Sequence, residues 1–316
     1  MIKSAQNQIC LLPGCEVRSS APGKKYRGKK YRGKGSKMPS AYTHARFGRS
    51  VYRELPAAER EIIDQNRSWY ILGLQGPDLF FYYHPLKKNR VSRIGSRIHG
   101  LPGRTFFTQA SAVVLRHPED GRYLAYAWGS ICHFTLDREC HYQVYEWTRL
   151  HGISHAEIEG ELDRTLLIED GKDPVRTSPT EGIEPEQDTG PVLEEFYREI
   201  DGAETGVTVR EMADGVRSFL SFNRILLVPQ KWKRKLIFSA LKLIGQYESL
   251  HGHFINFEEN PQCRQCSRLL RKKYDEAVPK AAELIREFQD TAAGKKPFSP
   301  LYESNYESDY PKGENG

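Results

Sequence analysis

The chain has 316 residues and a formal net charge of +6 at neutral pH. This length allows one large domain or two, with a substantial core. No apolar run approaches the ~20 residues that cross a bilayer, so no transmembrane segment is predicted. Residues 1–37 hold 10 Lys and Arg and one acidic residue, whereas residues 38–316 hold 37 Lys and Arg and 40 Asp and Glu. The body of the chain is therefore slightly acidic, and its charge is poor evidence for nucleic-acid binding.

Residues 1–37 are predicted to be a disordered basic tail. The pentapeptide Lys-Lys-Tyr-Arg-Gly occurs twice, from Lys24 and from Lys29, in a Gly- and Lys-rich setting that cannot form a core. One interpretation is an arm for phosphate or acidic lipid. The other is a misplaced start, with translation beginning at Met38. Because the apolar stretch before Cys15 is too short for a signal peptide, we expect a cytoplasmic protein, with secretion left open.

The sequence after Met38 predicts helices, with two residues of special interest between them. Residues 39–48 lead into a first predicted helix, a second is predicted from Leu55 to about Asn66, and a third is predicted over 106–115. Asp78 follows a Gly-Pro turn and precedes an aromatic cluster, Phe80 to Tyr83, so that its carboxylate is expected near apolar side chains. Asp is equally well suited to cap a helix, and both interpretations of Asp78 stand at this point. His99 lies just before the Gly-rich turn that leads into the third of these helices.

The central segment from Tyr123 to about Glu146 is predicted to be a buried helix, because it begins with an apolar run and contains no Pro. Residues four apart on a helix share one face. Two sets have this spacing: His133, Asp137 and His141 on this helix, and His155 and Glu159 on a second helix that begins near Ile153. One such pair alone is more often a solvated pair or a core histidine. Two sets in an apolar region indicate a zinc site, because zinc prefers imidazole nitrogen and carboxylate oxygen.

The C-terminal half is predicted to be helical after a long surface loop from Asp170 to Pro191. Helical stretches are predicted over 192–200, over 207–247 with an interruption at Pro229, and over 274–288. Lys231 to Ile244 is basic and amphipathic. We favour a core helix with one solvated face for it, although such a helix can also lie on a membrane surface. Residues 291–316 are predicted to be a polar tail.

The six cysteines do not form a complete motif. Cys132 and Cys140 are predicted to be small buried hydrophobic residues of the central helix. Cys263 and Cys266 form half of a zinc-ribbon pattern without a second half, so free thiols in a reducing compartment are expected.

These features together resemble the zinc-dependent phospholipase C family, whose relatives include fungal single-strand nucleases with a trinuclear zinc centre. The resemblance covers about residues 38–290. It rests on the following motifs: Thr43-His44-Ala45-Arg46-Phe47-Gly48, Gln75-Gly76-Pro77-Asp78, His99, Ile131-Cys132-His133-Phe134-Thr135-Leu136-Asp137 with His141, and Ile153-Ser154-His155-Ala156-Glu157-Ile158-Glu159. It implies an all-α fold: one multi-helix domain over 38–290 with a buried multinuclear zinc site, between disordered N- and C-terminal tails.

The resemblance also implies which residues would hold two or three zinc ions. The first ion would be bound by Asp78, His99, His133 and Asp137. The second would be bound by His141, His155 and Glu159, and the third by His44 together with a bridging Asp137. In the family the third ion also binds the free amine of the mature N-terminal residue, usually Trp, which this chain lacks. We hypothesise that removal of Met38 would expose the Pro39 amine for this purpose.

The implied function is zinc-dependent hydrolysis of a phosphodiester by a metal-activated water, as in phospholipase C, with Asp78 as the catalytic carboxylate that orients or deprotonates the water. The expected substrate is a phospholipid or another phosphodiester, and peripheral membrane contact is expected as a further property. A single-strand nuclease-like phosphodiesterase is an alternative, disfavoured because a nuclease needs a stacking platform and a basic groove, whereas the body is slightly acidic. A non-catalytic helical scaffold stabilised by zinc and a nucleic-acid or membrane-binding module driven by the tail also fit the sequence.

Overall fold

The computed structural model describes residues 41–309 apart from Leu86 and Lys88. The helices are α1 Ala41–Glu54, α2 Ala57–Gln65, α3 Arg67–Gly73, α4 Arg90–Gly100, α5 Gly103–Arg116, α6 Gly121–His151, α7 His155–Glu169, α8 Thr189–Tyr197, α9 Val209–Leu226, α10 Lys231–Leu243, α11 Tyr247–Leu250 and α12 Arg264–Ala292. Short 3₁₀ helices span Gly76–Tyr82, His251–His253 and Pro300–Glu303. Two antiparallel strands, β1 Glu199–Ile200 and β2 Ala203–Glu204, have two residues each. The predicted all-α fold is confirmed.

Helix α6 is the centre of the fold. It has 31 residues, begins after the N-cap Asp120 and ends at Gly152, whose φ of 68° suits a residue without Cβ. Every residue from Tyr123 to Asp137 is buried, so this half of α6 is covered on all sides. Helices α3 and α12 pack against it more extensively than any other described element. The predicted buried helix is confirmed, although it extends five residues beyond Glu146.

The contact between α3 and α6 depends on two glycines. A Cβ on Gly129 would lie 2.2 Å from the carbonyl oxygen of Tyr70, and a Cβ on Gly73 would lie 2.3 Å from the carbonyl oxygen of Tyr126. Both obstacles are backbone atoms, which cannot move without shifting a helix. The close approach of the helices therefore requires Gly at both positions, and it places the end of α3 and the following 3₁₀ helix beside α6.

The segment from residue 291 onward differs from the polar tail predicted for it. Tyr302 and Tyr306 are buried, at 2% and 1% exposure. The Tyr306 ring lies 4.9 Å from the ring of Phe134 on α6, measured between centroids. The amide of Gly103 donates to the carbonyl of Ser304 at 2.9 Å. Because aromatic side chains four residues apart anchor the segment, its described part, up to residue 309, belongs to the domain; residues 1–40 and 310–316 lie outside the described residues.

Helix α10 also differs from its prediction. Arg234 is its only buried residue, whereas Trp232 and Leu236 face solvent. On the side of Arg234, Phe238 is half-buried and its ring centroid lies 5.3 Å from that of Phe254. The expected solvated face is therefore present, but the inward face lies outside the hydrophobic core of the described residues. The physical reason is that periodicity identifies the two faces of an amphipathic helix without showing how deeply the inward face is buried. No helix among the described residues is long and apolar enough to cross a bilayer.

We expect Gly129→Ala to lower the free energy of unfolding by about 2 kcal/mol, because the new Cβ meets the backbone of α3. Gly215→Ala on α9 is the matched control. Its Cβ would meet its nearest neighbour, the Leu79 carbonyl oxygen, at an ordinary 3.5 Å, and helix propensity favours Ala there. Urea unfolding followed by circular dichroism measures both. Equal stability of the two variants would contradict the close helix approach.

Candidate metal centre

The structure brings all eight residues implied as zinc ligands into one cluster. They come from five separate elements: His44 from α1, Asp78 from the 3₁₀ helix at 76–82, His99 from α4, His133, Asp137 and His141 from α6, and His155 and Glu159 from α7. Their ligand atoms form three groups in which all atoms lie within 4.8 Å of one another. The groups are His44 with His133 and Asp137, Asp78 with His99 and His133, and His141 with His155 and Glu159.

In the group of Asp78, His99 and His133, the two imidazoles lie around the carboxylate of Asp78. Its Oδ1 lies 2.9 Å from Nε2 of His99, and its Oδ2 lies 3.7 Å from Nε2 of His133. All three residues are buried. Gly76 makes this approach feasible, because it has a φ of +48° and a Cβ there would lie 2.7 Å from the His133 ring. The turn at Gly76 and Pro77 therefore places Asp78 beside α6.

Asp137 lies between the groups. Its Oδ1 is 3.3 Å from Nε2 of His44, and its Oδ2 is 3.3 Å from Nε2 of His133 and 3.7 Å from Nε2 of His99. The rings of His44 and His133 stack with their centroids 4.4 Å apart. A carboxylate with histidines on both oxygens has the geometry of a bridge between two cations.

The third group is the most accessible part of the cluster. Oε1 of Glu159 lies 3.3 Å from Nε2 of His141 and 2.9 Å from Nε2 of His155. The His155 side chain is 20% exposed, whereas that of His133 is fully buried. A ligand from solvent therefore reaches this group first.

Backbone carbonyls orient three of the histidines. Nδ1 of His99 donates to the carbonyl of Gly95 at 2.7 Å, Nδ1 of His133 to that of Leu74 at 3.1 Å, and Nδ1 of His141 to that of Tyr306 at 2.7 Å. Because a carbonyl oxygen can only accept, each Nδ1 carries a proton. When they are neutral, these rings present the lone pair of Nε2 to the cluster, which is the arrangement found around protein-bound zinc.

The centre of the cluster contains acceptors that face acceptors. Among the described residues, both oxygens of Asp78, Oδ2 of Asp137 and Nε2 of His133 are buried without a hydrogen-bond partner. The 2.9 Å contact between His99 and Asp78 lacks the geometry of a hydrogen bond. Buried acceptors of this kind are costly unless a cation lies between them. The donor set fits zinc, and it favours the ligand interpretation of Asp78 over the helix cap.

The electrostatics of the accessible group agree with a site that attracts cations. Burial lowers the pKa of His141, but Asp137 and Glu159 outweigh it and raise that pKa to about 10. Burial raises the pKa of Glu159, but His155 and His141 outweigh it and lower that pKa to about 2. The pKa of Asp137 is likewise held well below its ordinary value, against its burial, by His141 and His133. In the absence of a metal, a proton on His141 therefore compensates the neighbouring carboxylates at neutral pH.

Two supporting residues escaped the sequence analysis. Asp163 on α7 accepts hydrogen bonds from the amide and hydroxyl of Thr43 at 2.7 and 2.5 Å, and so fixes the start of α1 one residue before His44. Tyr306 supplies the carbonyl to His141 across 165 residues of sequence. The only signal for Asp163 is its position on the face of α7 that also carries Glu159, four residues earlier. No local signal indicated Tyr306.

A buried constellation of imidazoles and carboxylates on a helical scaffold defines a multinuclear metal-dependent hydrolase. The comparisons with known proteins name the family. The model of zinc-dependent phospholipase C matches residues 43–203, just over half of the chain, and the chain belongs to this family of phosphodiester hydrolases. No curated protein and no solved structure matches the sequence. The matched segment includes seven residues of the cluster beyond His44, and His44 itself is its second residue.

We expect zinc binding to release at least one proton at pH 7, because a ring whose pKa is about 10 must lose its proton before Nε2 can bind a metal. Since the proton competes with zinc, the affinity should rise by about tenfold per pH unit between pH 6 and 8 for each proton released. Glu159 contributes nothing in this range, because it is ionised throughout.

Calorimetry in buffers of different ionisation enthalpy measures the number of protons released. The matched control is His141→Ala, which should release fewer protons under the same conditions. Binding that is independent of pH in the unmodified protein would contradict the assignment.

Proposed function

We propose that this chain hydrolyses a phosphodiester bond of phospholipids at the His/Asp/Glu cluster, in the manner of phospholipase C. The proposal is carried by one observation: five imidazoles and three carboxylates converge in a buried site of a chain that belongs to a zinc-dependent phosphodiester hydrolase family. Zinc ions held there would supply Lewis-acid stabilisation of phosphoryl oxygens and lower the pKa of water.

The ligand assignment follows the three groups. Asp78, His99 and His133 would hold one ion, and His141, His155 and Glu159 a second. Asp137 would bridge toward a third position beside His44, which is supported by the contacts of its two oxygens with different histidines. Pro39, whose amine was hypothesised to complete that position, lies outside the described residues.

Asp78 is the residue that we propose for proton transfer. Both of its oxygens lack a hydrogen-bond partner among the described residues, so that one can hold the site together while the other accepts a proton from water. Asp137 and Glu159 are less suited to this role. Only one oxygen of each lacks a hydrogen-bond partner among the described residues, because Oδ1 of Asp137 lies 3.3 Å from Nε2 of His44 and Oε1 of Glu159 lies between two imidazoles.

The phosphate would approach from the side of His155, which is the exposed edge of the cluster. The Tyr145 ring lies 5.1 Å from the ring of His155 and 5.8 Å from that of His141, so it borders this edge. A phospholipid is favoured over a nucleic acid because residues 38–316 carry a net charge of −3. The cytoplasmic location expected from the sequence stays a prediction.

We expect chelation to abolish hydrolysis of phosphatidylcholine and zinc to restore it. Single-stranded DNA and a chromogenic phosphocholine ester complete the substrate panel. Turnover of the lipid and the ester, with DNA cleaved at least about 100-fold more slowly, is the expected order, because the net negative charge of residues 38–316 disfavours a polyanion. DNA as the best substrate would favour the nuclease alternative. A zinc-loaded, folded protein that turns over none of the three would be a scaffold.

We expect Asp137→Asn to lose more bound zinc than Glu159→Gln, because Asp137 contacts histidines of two groups and Glu159 those of one. Elemental analysis after gel filtration measures the stoichiometry, and circular dichroism verifies that each variant is folded. Glu139→Gln is the matched control: this carboxylate lies on the same helix but pairs with Lys280. Equal zinc content in the Asp137 and Glu159 variants would remove the bridging role of Asp137.

A further inference from the structure

Helix α10 presents large apolar side chains to solvent. Trp232 and Leu236 are each 62% exposed, and Leu243 is 88% exposed. Ile244, directly after the helix, is 65% exposed. On a soluble domain such a cluster of exposed large side chains marks an interaction surface. We call Trp232, Leu236, Leu243 and Ile244 the α10 apolar surface.

The orientation of this surface is fixed by Arg234 on the opposite side of the helix. At 100° per residue, Trp232, Leu236 and Leu243 lie within about 40° of one another, and Arg234 lies roughly opposite them. The Arg234 guanidinium donates to the carbonyl of Val228 at 2.9 Å and to that of Ile255 at 2.5 Å. It also lies 4.2 Å from the centroid of the Phe257 ring. Rotation of α10 to bury the apolar surface would break these contacts, so the exposure is built into the fold.

The charges around the surface select an anionic partner. Four lysines of α10 are exposed: Lys231, Lys233, Lys235 and Lys242. By helical geometry Lys233 lies on one flank of the apolar residues and the other three lie on the opposite flank. The helix carries no acidic residue. Within residues 41–309 as described, none of these lysines takes part in an ion pair, so their charge is available to a ligand.

The position of α10 relates it to the accessible side of the metal centre. Arg234 lines the same pocket as Ala156 and Gly160 of α7, the helix that carries His155 and Glu159. The helix is thus placed on the α7 side of the domain, where the cluster is least buried.

We propose that α10 docks the enzyme on an anionic phospholipid surface, with Trp232, Leu236 and Leu243 in the headgroup region and the flanking lysines against lipid phosphates. Basic amphipathic helices with Trp and Leu on the apolar face bind membranes in this way, and each Lys near an anionic surface adds to the attraction. This inference rests on the proposed function, since docking serves an enzyme whose substrate lies in a bilayer.

The test uses the full chain and compares Trp232→Ser/Leu236→Ser with the unmodified protein. Sedimentation with vesicles of phosphatidylcholine alone, or mixed equally with phosphatidylserine, measures partition. We expect the variant to bind the mixed vesicles at least about tenfold more weakly, because two apolar side chains no longer enter the interface. Leu115→Ser/Leu150→Ser is the matched control: these leucines are 53% and 60% exposed on α5 and α6 and should leave partition unchanged.

A second variant separates charge from apolar contact. Lys231→Glu/Lys235→Glu/Lys242→Glu should bind mixed vesicles more weakly, should lose most of the salt dependence of binding, and should bind phosphatidylcholine vesicles as the unmodified protein does. A charge-reversal variant that still prefers phosphatidylserine would overturn the role of the lysines.

Turnover of the soluble phosphocholine ester distinguishes this inference from the proposed function. We expect both α10 variants to hydrolyse the ester at the rate of the unmodified protein and vesicles more slowly. If the α10 variants lose partition but the zinc-loaded unmodified protein hydrolyses neither the ester nor the lipid, the docking inference stands and the proposed function is rejected. Unchanged partition in Trp232→Ser/Leu236→Ser, with binding carried by residues 1–37, would overturn the inference. So would unchanged partition together with conversion of a dimer to a monomer in gel filtration, because the surface would then bind a second copy.

Discussion

The structure depends on how the buried carboxylates and imidazoles of the cluster are compensated. Carboxylate oxygens and imidazole lone pairs face one another in the interior, with Asp78 and Asp137 almost fully buried. Burial of a single unpaired carboxylate costs several kcal/mol. The domain nevertheless supplies these groups from five separate elements. Such an arrangement persists when divalent ions bind the folded state and contribute their binding free energy to folding.

Backbone groups determine which way the histidines face. The carbonyls of Gly95, Leu74 and Tyr306 each accept from an Nδ1 atom, so the corresponding Nε2 atoms point inward. These carbonyls belong to three different parts of the fold: the preceding turn of α4, the end of α3, and the C-terminal segment. The metal centre is thus coupled to the close packing of α3 on α6 and to the anchoring of Tyr306, and not only to the helices that carry the ligands.

The sequence could predict whatever depends on local periodicity. The four-residue spacing on α6 is enough to place His133 and Asp137 on one face, since a helix has a fixed geometry. It could not predict that Tyr306 reaches His141, because that contact joins segments 165 residues apart through tertiary packing. It also placed α10 in the core, whereas the inward face of this helix, where Arg234 lies beside the half-buried Phe238, is outside the core of the described residues. A local pattern shows which residues share a helix face, whereas tertiary contacts determine which face is buried and how deeply.

The same distinction explains how one domain combines a buried candidate metal centre with an exposed edge. His133 is fully buried, so the ligands at the centre are protected from solvent and held in fixed geometry. Exposure is confined to the edge formed by His155, on the helix whose neighbouring pocket is lined by Arg234 of α10. Because Arg234 donates to the carbonyls of Val228 and Ile255, the exposed apolar residues are held on the opposite side of α10. Rigidity at the centre and apolar exposure at the surface are therefore separate consequences of where single polar side chains are fixed.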